Sequence, residues 1–523
     1  MITANRHRWS RFLALPLLAL LLVSSTIATH AFAVDLIEAA RNQDSEAVQS
    51  LLADGSNPNT QQADGATALH WAVYGENSDM AASLIEAGAD VNTVNRLGAS
   101  ALYIAAKSGQ GDLIEQLLTA GADPNLALDM NETPIMTASR SGTVKGVHRL
   151  IDAGADVNAR ESSRNQTALM WAAAQGHVEV ARALIEAGAN LESRSKVRPM
   201  LMFVDATNGG AFDQGVMENL GGYSALLFAS TQGHIEMARL LLNSGADVDG
   251  LAGNGTSPLV VATHSSHGEL ARLLLEQDAD ANAMEAGYSA LHAAILRGDL
   301  DTVNALLVYG ANPNERLLKP NPVQRASEDW VLKTPLVGAT PYWIAASFRE
   351  AEIMRALTDG GADPLLTNEE QWSLPRNRED RDSYTPRVIG GFETTVQAAI
   401  KGDSTRGRYY VQANPDPAGE EQLALAAVRA AADQGVNLNH TDFTESTALH
   451  DAAARTLPNI IRELAERGAD INALNAREQT SLDLAIIAEN RPNFFGFDTS
   501  IPGPSASEVL KGFGAVKSEE LNR

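Results

Sequence analysis

Apolar residues in most of this chain come in pairs of short segments with helical spacing. Between 167 and 188, Leu169, Ala172 and Ala173 fall on one stripe of a first segment, and Val178, Val180, Ala181, Leu184 and Ile185 on one stripe of a second. Spacings of three and four put such residues on a single helix face, and the small alanines let neighbouring helices approach closely. Thr167 stands ahead of the first segment, where its hydroxyl can accept from orphan N–H groups of a first turn. Gly188 closes the second segment in the position of a left-handed cap, and an Asp/Asn-rich stretch then turns the chain back. The predicted unit is helix, turn, helix, hairpin.

The unit recurs. Gly55, Gly88, Gly121 and Gly154 stand 33 residues apart, and Gly188 follows at 34. Most are followed by Ala, then an acid or Asn, then Asn two positions later, as in Gly88-Ala89-Asp90-Val91-Asn92. A second element lies upstream in each unit: Thr67-Ala68-Leu69-His70, Thr133-Pro134-Ile135-Met136, Thr167-Ala168-Leu169-Met170, Ser289-Ala290-Leu291-His292, Thr340-Pro341-Tyr342-Trp343 and Thr447-Ala448-Leu449-His450. Where a proline is present it suits the first helical turn, whose N–H has no partner in any case.

A period of 33 carrying these two elements resembles the ankyrin repeat. The resemblance covers nearly all of the chain beyond residue 33, and its recurrence makes it specific; the chain is similar to exported bacterial ankyrin-repeat domain proteins. It implies an all-α fold, an ankyrin-repeat solenoid of about twelve helix-turn-helix units with β-hairpin fingers, interrupted by several long insertions. The caps place unit starts at Asp35, Thr67, Ser100, Thr133, Thr167, Ser224, Ser257, Ser289, Thr340, Thr394, Thr447 and Thr480. The first unit lacks a hairpin and is expected to cap the stack. The last is expected to close it with a helix near Ser505 to Lys511.

Four intervals are long: Gly188 to Gly245 is 57 residues, Gly310 to Gly361 is 51, Gly361 to Gly435 is 74 and Gly468 to Gly514 is 46. Insertions are placed at Ser193–Gly221, Glu315–Gly338 and Thr367–Pro386, all at the hairpin tip, and at Asp403–Gly419 between two helices. The 361–435 interval could instead hold a further degenerate repeat. The expected organisation is a signal peptide over 1–33, regular repeats over 34–192, a hairpin insertion over 193–221, repeats over 222–314, irregular repeats with insertions over 315–419, and C-terminal repeats with a cap over 420–523. Equivalent positions stay aligned from unit to unit. The three hairpin insertions should therefore leave the stack on one edge, the second and third touching and the first standing well apart.

The beginning of the chain bears on the compartment. Arg6, Arg8 and Arg11 precede an apolar run from Phe12 to Val23, and small and polar residues then lead to Ala31-Phe32-Ala33. That order is a secretory signal peptide, and the run is short of the ~20 residues a membrane span needs. Cleavage after Ala33 is expected to leave a soluble, monomeric chain, periplasmic or secreted, with no stable membrane insertion. The net charge is −25, and loss of three arginines and no acid takes it to −28. Such a surface repels nucleic acid and anionic lipid and favours a basic or neutral partner. The chain contains no cysteine, which removes disulfides, thiolate nucleophiles and cysteine-ligated zinc from consideration.

Candidate chemistry is thin. His70, His292 and His450 occupy the fourth position of the Thr-led element, and His177, His234 and His267 open second helices; in ankyrin-like sequences these imidazoles bridge backbone groups. His264 and His267 stand three apart, but Ser265, Ser266 and Gly268 around them supply no charged ligand. No nucleophile elbow or phosphate loop appears. The expectation is no enzyme, no catalytic residue, no cofactor and no metal. The alternative is an enzyme or enzyme-accessory site in the irregular 315–419 region, which holds Arg325, Asp329, Arg376, Arg378, Glu379, Asp380 and Arg381.

Variety at fixed repeat positions is more informative. In ankyrin-like stacks the end of the first helix and the hairpin tips line a concave groove. Tyr74, Lys107, Arg140, Gln175, Gln232, His264, Arg297 and Phe348 occupy that helix end and differ from one another within a repetitive frame. The insertions add apolar residues: Met200-Leu201-Met202-Phe203-Val204, Trp330-Val331-Leu332, and Trp372 with Leu374. The strip, with Phe203, Trp330 and Trp372, is the expected contact surface for another protein of unidentified identity.

Overall fold

In the computed structural model the described residues are 35–204, 214–321, 332, 336–369, 371–373, 387–402, 416–491 and 501–521. The expected signal segment lies outside them. Among the described residues twelve helix pairs stack side by side, and each of their inner helices begins behind one of the twelve expected caps, from Leu36–Arg41 behind Asp35 to Ser481–Glu489 behind Thr480. The cap chemistry is direct in most units: Ser257 Oγ, for example, accepts from Val260 N at 3.3 Å. Helices this short have little stability of their own, so the stack is held by burial between units. One apolar core runs unbroken from Leu36 to Ala515. Within it Leu169, Ala172 and Ala173 meet Val180, Ala181 and Leu184, all buried, while Val178 and Ile185 pack at its margin.

The described part of the 361–435 interval holds one helix pair, Thr395–Lys401 and the sixteen-residue Pro417–Ala432. The outer helix begins at Pro417, inside the expected insertion, because Asp416 caps it by accepting from Gly419 N. The final outer helix is Ala506–Gly512 behind Ser505.

Three polar devices join neighbouring units. The asparagine of the Gly-Ala-Asp-Val-Asn element bridges forward: Asn92 Nδ2 donates to Gly121 O at 3.1 Å and its Oδ1 accepts from Asp123 N at 2.8 Å. Asn59, Asn125, Asn158, Asn282 and Asn314 repeat this. Each amide satisfies a carbonyl that the preceding helix end leaves open. The histidines form the second device. His70 Nδ1 accepts from Thr67 N at 3.1 Å while Nε2 lies 3.0 Å from Ala99 O in the next unit. His177 and His267 reach back to Arg140 O and Thr231 O, each at 3.1 Å.

The third device is a row of backbone bonds along the hairpin tips. Lys196 N donates to Arg164 O, Gly253 N to Gly221 O, Leu318 N to Gly287 O, Glu369 N to Gly338 O and Phe443 N to Gly391 O, at 2.7–3.3 Å. This row passes through the bases of all three hairpin insertions, so they leave the stack on one edge. The first insertion forms an antiparallel hairpin, β1 (Arg198–Val204) against β2 (Gln214–Leu220). The third begins and ends as a shorter one, β3 (Gln371–Ser373) against β4 (Arg387–Gly390). The second and third touch, Arg316 Nη1 donating to Thr367 O at 3.0 Å.

The first finger does not stand apart from the second. Glu218 of β2 lies 3.9 Å from Lys319 Nζ, and Met202 of β1 is buried. At about 3.3 Å per residue a seven-residue strand reaches roughly 20 Å, and packed helices lie about 8–10 Å apart. The finger is therefore long enough to lie across the next two tips, and its apolar inner face gains by doing so.

Candidate functional site

Ten of the twelve inner helices end in the same way. A left-handed residue closes each: Gln43, Glu76, Gly109, Gly142, Gly176, Gly233, Ser266, Gly298, Arg349 and Thr456 all have positive φ. Two residues before that point, Arg41 and Arg140 lean over the next unit and meet the fourth residue after the next cap. Arg41 stacks on Trp71 with its guanidinium carbon 4.8 Å from the ring centroid, and Arg140 stacks on Trp171 at 4.6 Å. Lys401 Nζ lies 3.4 Å from Asp451 Oδ1 in the equivalent place. These two alternating rows make the floor of the groove.

The expected strip mixes two registers. Tyr74, Lys107, Arg140 and His264 stand two residues before the left-handed position, whereas Gln175, Gln232, Arg297 and Phe348 stand one before it. Tyr74, Lys107, Arg140, Gln175 and Gln232 are exposed, and His264 and Arg297 are half-buried. Arg297 Nε donates to His264 O at 2.5 Å, so these two form one unit. Phe348 is a correction: it is 5% exposed and belongs to the core. Gln175 and Gln232 share its register and stay exposed, but an apolar ring gains more by packing than by facing water.

Of the finger residues, Phe203 and Trp372 have only their backbones among the described residues, and Trp330 lies outside them, as do Arg325, Asp329, Arg376, Arg378, Glu379, Asp380 and Arg381. The described part of the first finger presents Leu201 and Met217, directly paired across β1 and β2, as exposed apolar side chains.

Two features of the groove escape a reading by helix ends alone. Trp71, Trp171 and Phe228 form its half-buried aromatic floor; an aromatic four residues after a cap is the pattern that marks it, with a base at the preceding helix end for the two tryptophans. The other is an ionic cluster between the tenth and eleventh units. Lys401 Nζ lies 3.0 Å from Glu393 Oε1 and 2.5 Å from Asp442 Oδ2, besides Asp451. One ammonium cannot balance three carboxylates. Burial pushes Asp451 up to about 7 against the pull of Lys401, with the charges of Asp442 and Glu393 adding to the rise. Burial also acts on Asp442, but its bonds to Lys401 and Thr444 outweigh it and hold that carboxyl below its usual range.

The buried histidines are neutral framework. Burial pushes His292 down to about 4, and lowers His70 and His450. Among the described residues no group of three or more His, Asp or Glu is placed to hold a metal ion, and no described helix is long and apolar enough to cross a membrane.

Comparison with known proteins bears on this geometry. A model of ankyrin repeats in three copies matches residues 36–127, 112–195 and 226–317, and a second ankyrin-repeat model matches 430–485, together more than half of the chain. The chain is an ankyrin-repeat protein. Protein fem-1 homolog A-A of Mus musculus is 32% identical over 117 residues, covering 22% of this ankyrin-repeat chain and 17% of that protein. Protein fem-1 homolog A of Homo sapiens is 35% identical over 100 residues, covering 19% and 14%. The likeness thus spans less than a fifth of these relatives. Among solved structures, the human ASB11 ankyrin repeat domain is 25% identical, covers 46% of this chain and 96% of its own, and has a TM-score of 0.38.

Proposed function

We propose that this ankyrin-repeat protein is an exported scaffold that grips another protein between its concave groove and its hairpin edge. The repeats themselves make an interaction scaffold the coarse reading. The observation that carries the finer one is the groove row. A frame fixed by repeated caps, asparagine bridges and histidine bridges holds Tyr74, Lys107, Arg140, Gln175 and Gln232 exposed and different from unit to unit. Preorganised, chemically varied anchors on a rigid support are what selective binding needs, because little ordering entropy is lost on association. The first finger overhangs the same edge with Leu201 and Met217 exposed.

Export rests on the leader pattern before Val34, and purified exported protein should begin within a residue or two of Val34. The binding test is a pull-down from the exported fraction with the chain as bait. A partner retained by the unaltered chain and by Arg182→Ala, but lost with Tyr74→Ala, Arg140→Ala and Gln175→Ala combined, supports the groove. Loss with Arg182→Ala and retention with the triple variant overturns it.

A further inference from the structure

The finger closes over a cavity of about 90 Å³, bounded by Met202, Glu218 and Leu220 of the finger, His264 at the groove end, Tyr288 in a later hairpin and Lys319 at the base of the second insertion. That is room for roughly three waters, or for the head of one side chain.

Two of its polar groups have no hydrogen bond from the described residues. Tyr288 is 7% exposed, and no hydrogen bond joins its hydroxyl to another described residue. Its ring packs 6.3 Å from that of His264. Burial, then the charges of Tyr223 and Glu218, raise its pKa, so the phenol stays neutral and lies within the field of the Glu218 carboxylate. Glu218 has a side chain only 15% exposed, and its ion-pair partner Lys319 stands at 3.9 Å, beyond hydrogen-bond range. The Lys319 stem lies across Gly287, where an added Cβ would stand 2.1 Å from Lys319 Cγ, and its head is at the mouth, 44% exposed.

The Glu218 carboxylate takes no hydrogen bond from the described residues and can accept one. A group that fits it brings N–H donors and positive charge. Met202 and Leu220 offer apolar walls for a methylene stem, and the Tyr288 ring offers a face to a cation. An anionic head would meet Glu218 instead. The net charge of −25 steers basic molecules toward the whole surface. We propose that this cavity receives one basic side chain, arginine in preference to lysine, presented by the partner of the groove. Arginine is favoured because a planar fork can satisfy a carboxylate with two parallel bonds. The proposal rests on the groove reading for its biological ligand, but the affinity of the cavity for an isolated side chain does not.

The test uses the full chain labelled with methyl-¹³C methionine, titrated with Nα-acetyl-arginine N-methylamide and with the corresponding lysine and glutamate compounds. Met202→Leu assigns the reporter at the cavity, and Met217, exposed on the finger, serves as the control. The expected result is a saturable Met202 shift with arginine, weaker with lysine and absent with glutamate, while Met217 stays still. Glu218→Gln should weaken arginine binding about tenfold, as loss of a charge-assisted bond does, and Tyr288→Phe should weaken it less. No saturable Met202 shift, an equal response to glutamate, or an unaffected Glu218→Gln chain with an otherwise unchanged spectrum would each overturn the proposal. A partner that binds Glu218→Gln normally sinks the pocket and spares the groove. Arginine binding in a chain whose partner ignores the groove does the reverse.

Discussion

The guanidinium carbon of Arg140 lies 4.6 Å from the ring centroid of Trp171, one unit further along the stack. The same contact joins Arg41 to Trp71, so a base at one helix end and an aromatic on the next inner helix act as a stitch as well as a surface. Removing it should be felt modestly, since an exposed cation–π pair contributes about 0.5–1 kcal/mol. A double-mutant cycle of Arg140→Ala and Trp171→Leu, followed by urea denaturation, should return a coupling of that size. A coupling of zero would make the contact incidental.

A glycine and a histidine set up a sharper comparison. A Cβ on Gly233 would stand 2.5 Å from His267 Nδ1, and Gly233 has φ +74°. Gly188 has φ +88° with nothing within 4 Å of the added atom. Both positions disfavour an L side chain, by roughly 1 kcal/mol, but only Gly233 also carries the histidine bridge to Thr231. Gly233→Ala should therefore cost about 1 kcal/mol more than Gly188→Ala. Equal losses would show that φ alone matters at both places.

Overpacking tests the inner stripe. Ala173 is fully buried between neighbouring inner helices, and leucine there should cost about 1–3 kcal/mol. An unchanged denaturation midpoint would contradict that placement.

The frame was legible in the sequence because its residues have few substitutes. Only a short side chain with an oxygen can cap from positions such as Thr67 and Ser257, and a left-handed closure after the outer helix favours Gly188. The asparagines were visible as turn residues, but their bridge from one unit to the next depends on the spacing of whole units, as at Asn92 and Gly121. The site was half legible. Tyr74 precedes Gly75, which is not the left-handed residue, whereas Gln175 precedes Gly176, which is. Treating the end of the first helix as a single position therefore mixed two registers and placed Phe348 on the surface. Side-chain direction follows the distance from the cap, and counting from Thr167 finds Trp171, as counting from Thr394 finds Lys401. The reach of the first finger was not legible because it depends on hairpin length against unit spacing.

Two buried groups give opposite pH dependences. His292 titrates at about 4 in the fold against an ordinary 6.5. Its contribution is complete above about 6.5 and is lost as the pH falls from there through 4. Gln397 fills the same capping position in the tenth unit, so His292→Gln should fold, and the wild type should lose stability relative to it across that window. Asp451 titrates at about 7 against 3.8. Its contribution is complete below 3.8 and is lost as the pH rises through 7. Asp451→Asn should match the wild type near pH 4 and exceed it by about 1–2 kcal/mol at pH 8, allowing for coupling to Lys401. A constant difference with pH, for either variant, would contradict the corresponding assignment.

Which face meets the partner can be read by photo-crosslinking in the cell that makes the protein. A benzoylphenylalanine placed at Tyr74, Gln175 or Gln232 stands in the groove, and one at Arg182 or Glu236 stands on exposed outer helices. All five positions are exposed, so folding should be undisturbed and the positions differ only in face. The groove positions should yield one common adduct in the exported fraction, with none from Arg182 or Glu236. Adducts from the outer-helix positions alone would contradict a groove that grips a protein.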